Sequence, residues 1–289
     1  MNDTTTQKRV LAIHDVSCVG RCSLTVALPI LSAAGFDTSV LPTALLSTHT
    51  GGFAGFTYRD LTDQIDPIAA HWQSLGLRFD AMYSGFLGSI EQIGHIERLF
   101  GAFRADGTLV MVDPVMADNG EMYSVFTPEM AKGMARLCAK ADIIVPNLTE
   151  AALLLSEPYI GETYDKPYIE RLLTELCALC ESSESTAVIT GVSFEAGLLG
   201  AAARDARTGE VFYAFNERVD GAFHGTGDIF SSALLAALLN RRALGESLRI
   251  AVDYTLDCIK RTLPLNIERR YGVCFERALP GLIKALGIE

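Results

Sequence analysis

A chain of 289 residues, 49% of them hydrophobic, can bury a large core, either as one α/β domain or as two smaller ones. The net charge of −11 and the lack of any Lys/Arg run argue against free nucleic acid as a partner. Nucleotide phosphates remain open to it, with help from loops, a metal or a few cations. No stretch approaches about 18 uninterrupted apolar residues, so no membrane-spanning helix is expected. The polar residues 1–9 lack the apolar core of a signal peptide.

Short β-branched runs alternate with helical patterns along the chain. Residues 10–13 read as a strand, 22–34 as a helix stopped by Gly35, and 38–41 as a second strand. Helix 60–75, strand 81–83, helix 90–103 and strand 109–112 follow. Next come helix 128–139, strand 143–145, helix 148–155, helix 166–181 and strand 187–190. Residues 198–204 and 211–216 read as an antiparallel pair turning at Thr208 and Gly209. Beyond Asp228 the pattern is mostly helical. Such alternation predicts a three-layer α/β/α sandwich, with a mainly parallel central sheet and antiparallel strands at its edge. No linker or repeat divides the chain, so one domain over 1–289 is expected, with 1–8 as a flexible tail.

Seven cysteines at irregular spacing do not form a disulfide framework and suit a reducing cytoplasm. Cys177 and Cys180 form a C-x-x-C, but they lie in a helical pattern without a second Cys/His pair nearby. They read as structural.

In open α/β sheets the site lies off the carboxyl ends of the strands. Asp15, Thr43 to Thr50, Gly85 with Phe86, Asp113, Asn147 and Thr190 all fall at such ends. The strongest signal is Gly225-Thr226-Gly227-Asp228 at a helix start. Glycines expose backbone N–H groups, and the helix adds its positive end, which together suit a phosphate. A carboxylate repels phosphate, so Asp228 makes sense as a proton acceptor beside it. Asp113 and Asp118 around Pro114 could organise Mg²⁺ and water, or merely cap a turn. Asn147 and Glu150 could serve a nucleotide, or form a capping box. The loop of His49, Thr50, Gly51, Gly52 and Phe53 could close over a planar ligand. His224 adjoins the glycine loop, while His14, His71 and His95 read as structural or surface. No G-x-x-x-x-G-K-[ST] is present, and no G-x-G-x-x-G follows the first strand. A P-loop is therefore excluded and a dinucleotide fold disfavoured.

Together these segments resemble the ribokinase superfamily, and within it the pyridoxal/pyridoxamine kinases. Gly225-Thr226-Gly227-Asp228 is similar to the superfamily's anion-hole and base signature. Ser47, Thr48, His49, Thr50 and Gly51 resemble the S-N-H-T-G loop. Asp113-Pro114-Val115-Met116, with Asp118 and Gly120, resembles D-P-V-M-G-D-x-G. Pro146 and Asn147 with Glu150 resemble T-P-N-x-x-E. The resemblance runs from Val10 to about Ile259. It implies a ribokinase-like fold, a cytoplasmic homodimer, and ATP-dependent phosphorylation of a vitamin B6 5′-hydroxymethyl group. Carried over by position, Asp228 is the base and Gly225, Thr226 and Gly227 cradle the phosphoryl group. Asp113 and Glu150 hold Mg²⁺ through water, with Asp118 nearby. Asn147, Thr190 and His224 lie by ATP. Asp15, Thr43, His49, Thr50 and Phe86 line the vitamer site. A monovalent cation such as K⁺ is a further candidate. One departure stands out: Asp15 occupies the position of a family serine in I-Q-S-H-V. A hydroxymethylpyrimidine kinase shares this layout and is the rival reading. A non-catalytic vitamin-binding protein is a third, against which the intact Asp228 argues.

Overall fold

The computed structural model describes residues 7–161 and 163–288. In chain order the elements are β1 (Arg9–Ser17), α1 (Leu24–Ala33), β2 (Asp37–Leu46), β3 (Tyr58–Asp60), α2 (Thr62–Ser74), β4 (Ala81–Ser84), α3 (Ile90–Phe103) and β5 (Leu109–Val112). A small hairpin follows, β6 (Ala117–Asp118) and β7 (Glu121–Met122), then α4 (Pro128–Ala139), β8 (Ile143–Ile144), α5 (Leu148–Leu154) and α6 (Lys166–Leu179). The chain continues with β9 (Thr186–Val192), β10 (Leu198–Asp205), β11 (Val211–Glu217), α7 (Thr226–Leu239), α8 (Leu244–Thr262) and α9 (Leu279–Leu286).

Nine strands form one sheet in the order β11-β10-β9-β8-β5-β4-β1-β2-β3. The strands from β2 to β9 in that order are parallel. β10 and β11 close one edge antiparallel, and β3 pairs antiparallel with β2 at the other. The chain leaves β1 toward β2 and returns on the opposite side as β4. Loops after β1 and β4 therefore diverge and leave a crevice, the place where such sheets bind ligands.

Alternation along the strands produces two cores. Leu11 and Ile13 of β1 face helices α2 to α6, whereas Val10 faces α1, α7, α8 and α9. α7 is apolar almost all round because it is covered on nearly every side, by the sheet, α1 and α8. Polar caps mark the amphipathic helices. The Ser89 hydroxyl accepts from Gln92 N–H at 3.1 Å, and Asp165 accepts from Tyr168 N–H at 2.9 Å.

Every expected strand and helix is present, with shifted ends. β1 and β2 run several residues further than 10–13 and 38–41, so Asp15 and Thr43 lie inside strands rather than after them. The apolar run ends early, but backbone pairing continues past a register shift between His14 and Val16. Helix 22–34 begins later, at Leu24, because Ser23 is not helical. The expected helix 60–75 gives up its start to β3. β3, β6 and β7 are too short to leave a periodic signal. Of the expected tail, residues 1–6 lie outside those described. Gln7 and Lys8 are tied down by side-chain hydrogen bonds to the carbonyls of Gly35 and Leu239. Cys177 and Cys180 are buried, unpaired, and hydrogen-bonded through sulfur to backbone carbonyls, as a structural reading requires.

Candidate active site

Four segments distant in sequence converge above the carboxyl ends of β1 and β4. They are the turn after β1, the loop after β2, the start of α7, and the turn containing Arg269 to Tyr271. Gly225 caps α7 in the left-handed conformation, φ 80° and ψ 0°. A Cβ there would stand 2.1 Å from the Arg21 carbonyl oxygen, so only glycine fits. The first helical bond runs from Ile229 N–H to the Gly225 carbonyl at 3.0 Å. The amides of Thr226, Gly227 and Asp228 therefore lack partners within the helix. At Gly227 a Cβ would meet nothing within 4 Å, so open space lies in front of that residue. The Thr226 hydroxyl donates to the Phe223 carbonyl at 3.0 Å and steadies the turn.

Asp228 sits in the first turn of α7. Its carboxylate accepts from the Ser23 backbone N–H at 2.8 Å. Burial pushes its carboxyl up to about 6, and the charge of Asp15 adds to this, while the Ser23 amide and the Cys22 thiol oppose it. Asp15 is 4% exposed and accepts from the Ser17 hydroxyl at 2.9 Å. Burial raises its carboxyl above the usual range, against hydrogen bonds from Ser23 and Ser17.

His49 is locked. Gly51 N–H donates to its Nδ1 at 3.1 Å, so Nε2 carries the proton and donates to the Arg270 carbonyl at 2.6 Å. Burial lowers its pKa, which agrees with a neutral ring. The His224 ring lies 5.1 Å from it, and Phe53 lies edge-on at the same distance. The Arg270 guanidinium covers Phe53 and Tyr271 at 5.1 and 5.6 Å. Thr50 is exposed on this loop. Thr43 is fully buried, and its hydroxyl donates to the Phe86 carbonyl at 3.5 Å. The Phe86 ring packs edge-on against Phe126 at 5.7 Å.

On the other flank Asp113 accepts from the Ser231 hydroxyl at 2.8 Å. Burial raises its carboxyl to about 7, reinforced by the negative charge of Asp228. The Glu150 carboxylate accepts from the backbone N–H groups of Met116, Ala117 and Asn147, at 2.9, 3.4 and 2.9 Å. Burial and Asp113 still raise it well above the ordinary value. The Asn147 side chain accepts from Glu150 N–H at 2.9 Å, which completes the capping box. Asn147 also bridges to Thr190, and its amide donates to the Ala117 carbonyl at 2.8 Å. Asp118 projects from the β6–β7 hairpin, with Asn119 as its hydrogen-bond partner. Among the described residues, no ion pair involves Asp15, Asp113, Glu150 or Asp228. Nor does any group of three or more His, Cys, Asp or Glu among them form a direct metal cage.

This geometry has relatives. A family model described as phosphomethylpyrimidine kinase matches residues 36–273. The chain belongs to that kinase family. A putative phosphomethylpyrimidine kinase from Bacteroides thetaiotaomicron, solved with pyridoxal, is 36% identical. The match covers 96% of each chain with a TM-score of 0.91. Pyridoxal kinase from Lactobacillus plantarum is 33% identical over 96% of this chain and 98% of its own, with a TM-score of 0.88. A putative pyridoxal kinase of Saccharomyces cerevisiae is 25% identical, with 92% of this chain and 86% of that protein covered. The protein is thus of pyridoxal kinase type, and the expected ribokinase-like fold is the one observed.

For this kinase, sequence reasoning missed the residues that reach the site from elsewhere. Cys22 and Ser23 fall inside the helix that the periodicity predicts over 22–34, yet they contact Asp228 from a turn. Ser17 and Ser231 support acids from positions with no motif of their own. Arg270 and Tyr271 lie some 220 residues from the loop they cover, and only folding reveals that contact. Gly20, Arg21, Cys22 and Ser23 carried one usable hint, a glycine turn between a strand and a helix.

Proposed function

We propose that this kinase transfers the terminal phosphoryl group of ATP to the 5′-hydroxymethyl group of a vitamin B6 vitamer. The observation that carries this reading is Asp228, set beside the free amides of the α7 start and within reach of the Asp15–His49 pocket. With a carboxyl near 6 it is mostly ionised at neutral pH and able to take the hydroxyl proton. The amides of Thr226, Gly227 and Asp228 would receive the transferring phosphoryl charge, aided by the helix dipole. Phosphoryl transfer of this kind rests on positioning and charge stabilisation.

Asp113 and Glu150 are buried acids, close enough for Asp113 to raise Glu150, with no cation paired to them among the described residues. A Mg²⁺ accompanying ATP fits there, bound through water, because both Glu150 oxygens already accept backbone N–H groups. That ion supplies charge neutralisation when bound. Asp118, Asn147, Thr190 and His224 would border the nucleotide. The vitamer ring would lie against Asp15, His49, Thr50 and Phe86, with Thr43 acting through Phe86. Relatives named pyridoxal kinase, and the B. thetaiotaomicron protein solved with pyridoxal, support the ring assignment over a pyrimidine. The seven unpaired thiols suit a reducing compartment such as the cytoplasm.

The test is a coupled ADP-release assay over pyridoxal, pyridoxine, pyridoxamine and hydroxymethylpyrimidine, on the wild type and on Asp228→Asn. B6 vitamers should turn over fastest. Asp228→Asn should lose about 10²–10⁴-fold in kcat with ATP binding retained. Preferred turnover of the pyrimidine, or full activity in the variant, refutes the reading.

A further inference from the structure

Ser23 is the most unusual backbone position next to the site. It has φ 52° and ψ −129°, outside even the small left-handed helical region open to serine. It is also 5% exposed and caps α1, whose Val26 and Ala27 amides donate to its carbonyl at 3.0 and 2.9 Å. Such a conformation persists only where the surroundings impose it. Here they do so on both sides. The Arg21 carbonyl is wedged against Gly225, and the Arg21 amide donates to the Tyr271 carbonyl at 3.1 Å. The result is an amide aimed outward from the turn. Ser23 N–H meets the Asp228 carboxylate at 2.8 Å. The Ser23 hydroxyl lies 3.6 Å from the Cys22 sulfur.

We propose that Ser23 is a positioning residue for the kinase reaction. The amide that this strained backbone presents fixes the Asp228 carboxylate and so holds the base in place. This rests on the reading of Asp228 as base. Without that N–H the carboxylate would be free to turn toward solvent or Cys22. The start of α1 adds to the effect, since a helix N-terminus favours the two carboxylates that face it. Asp15 and Asp228 are acids of like charge beside this turn, and a donor on Asp228 helps to keep it ionised next to the other. The titratable groups facing Asp228 are Asp15 from β1, Cys22 from the turn, Tyr83 from β4 and Asp113 after β5. None of them carries a positive charge, so the Ser23 amide opposes a wholly acidic surrounding.

Two replacements separate the amide from the strain. A backbone ester at position 23, with the α-hydroxy acid counterpart of serine in its place, removes the N–H and should lower kcat about 10–100-fold with the KM for ATP unchanged. Ser23→Gly keeps the N–H in a conformation that glycine adopts without strain, and should raise Tm by about 2–4 °C with kcat within twofold of wild type. A third readout needs no substrate. In protein carrying ¹³C-labelled aspartate, the Asp228 carboxyl, assigned by its absence from Asp228→Asn, should titrate about one unit higher in the ester protein than in the wild type. An unchanged midpoint in the ester protein, with kcat within twofold of wild type, overturns the proposal while leaving the kinase assignment standing. If the wild type phosphorylates no vitamer, the kinase assignment fails, and the carboxyl midpoint still decides whether Ser23 holds Asp228.

Discussion

Asp15 is the residue that most sets this chain apart from the pattern it resembles. A carboxylate placed where the family has serine is costly to bury, and three donors or neighbours, Ser23, Ser17 and His49, offset that cost. Its charge also raises Asp228. Replacing it should therefore act on the base as well as on the ring. In the wild type, kcat/KM should rise with pH through about 6 as Asp228 loses its proton. In Asp15→Ser the same limb should move to lower pH, because a neighbouring negative charge is gone. Relative kcat/KM among pyridoxal, pyridoxine and pyridoxamine should also change. A pH–rate profile with an unmoved acid limb, or unchanged vitamer ratios, would show that Asp15 touches neither. His14 teaches the opposite lesson. It is fully buried against Tyr83, with burial pulling its pKa to about 3 and no hydrogen-bond partner for either nitrogen among the described residues. A histidine one residue from the site is thus a neutral core group. The expectation of a structural role for it holds, in a form that spacing did not reveal.

Among the elements, the start of α7 matters most, and two of its glycines serve different ends. Gly225 has φ 80° and no room for a side chain beside Arg21. Gly225→Ala should cost about 1–3 kcal/mol in strain and displacement, visible as a lower Tm together with lost activity. Gly227 is helical and its missing Cβ faces open space. Gly227→Ala should be as stable as the wild type or more so, by about 0.5–1 kcal/mol, since alanine favours the helix. Its methyl would stand in the space assigned to phosphate, so kcat should fall at least about tenfold. Equal stability losses in both variants, read by thermal melting, would mean that the cradle is only a turn. The antiparallel pair β10–β11 was legible from Thr208-Gly209 and alternation. The β6–β7 hairpin carrying Asp118 was not, because two-residue strands have no period to read.

At the scale of the whole molecule, the site gathers acids at the carboxyl ends of the strands, where the strand order reverses. Asp113 and Glu150 are buried; Asp228 adds to the rise of Asp113, and Asp113 to that of Glu150. A carboxyl lifted to about 7 in the folded state, against about 4 when unfolded, removes stability as pH rises between those values. The ligand-free protein should therefore be more stable near pH 5 than near pH 8. Asp113→Asn keeps an acceptor for the Ser231 hydroxyl and removes the charge. It should raise the ligand-free Tm at pH 8, by an amount worth roughly 1–3 kcal/mol, and much less at pH 5. Adding Mg²⁺ and ATP should stabilise the wild type more than this variant. A gain independent of pH would refute the electrostatic origin, and equal stabilisation by Mg²⁺ and ATP would remove Asp113 from the metal side.

By itself, the sequence determined the layered fold and the principal chemical groups. Apolar periodicity is a local property, and a glycine pair followed by an acid at a helix start has few uses. What it could not determine was how those groups are held. Ser23 reads as the second residue of a helix, Asp15 as a residue after a strand, and Arg270 as part of a stretch that is mostly helical. Only the tertiary structure brought the amide of Ser23 to Asp228, the Arg270 carbonyl to His49, and Ser231 to Asp113. The physical reason is that these contacts are single hydrogen bonds between residues up to 221 positions apart. Each is set by where the sheet and helices place two loops, and no local pattern encodes that meeting.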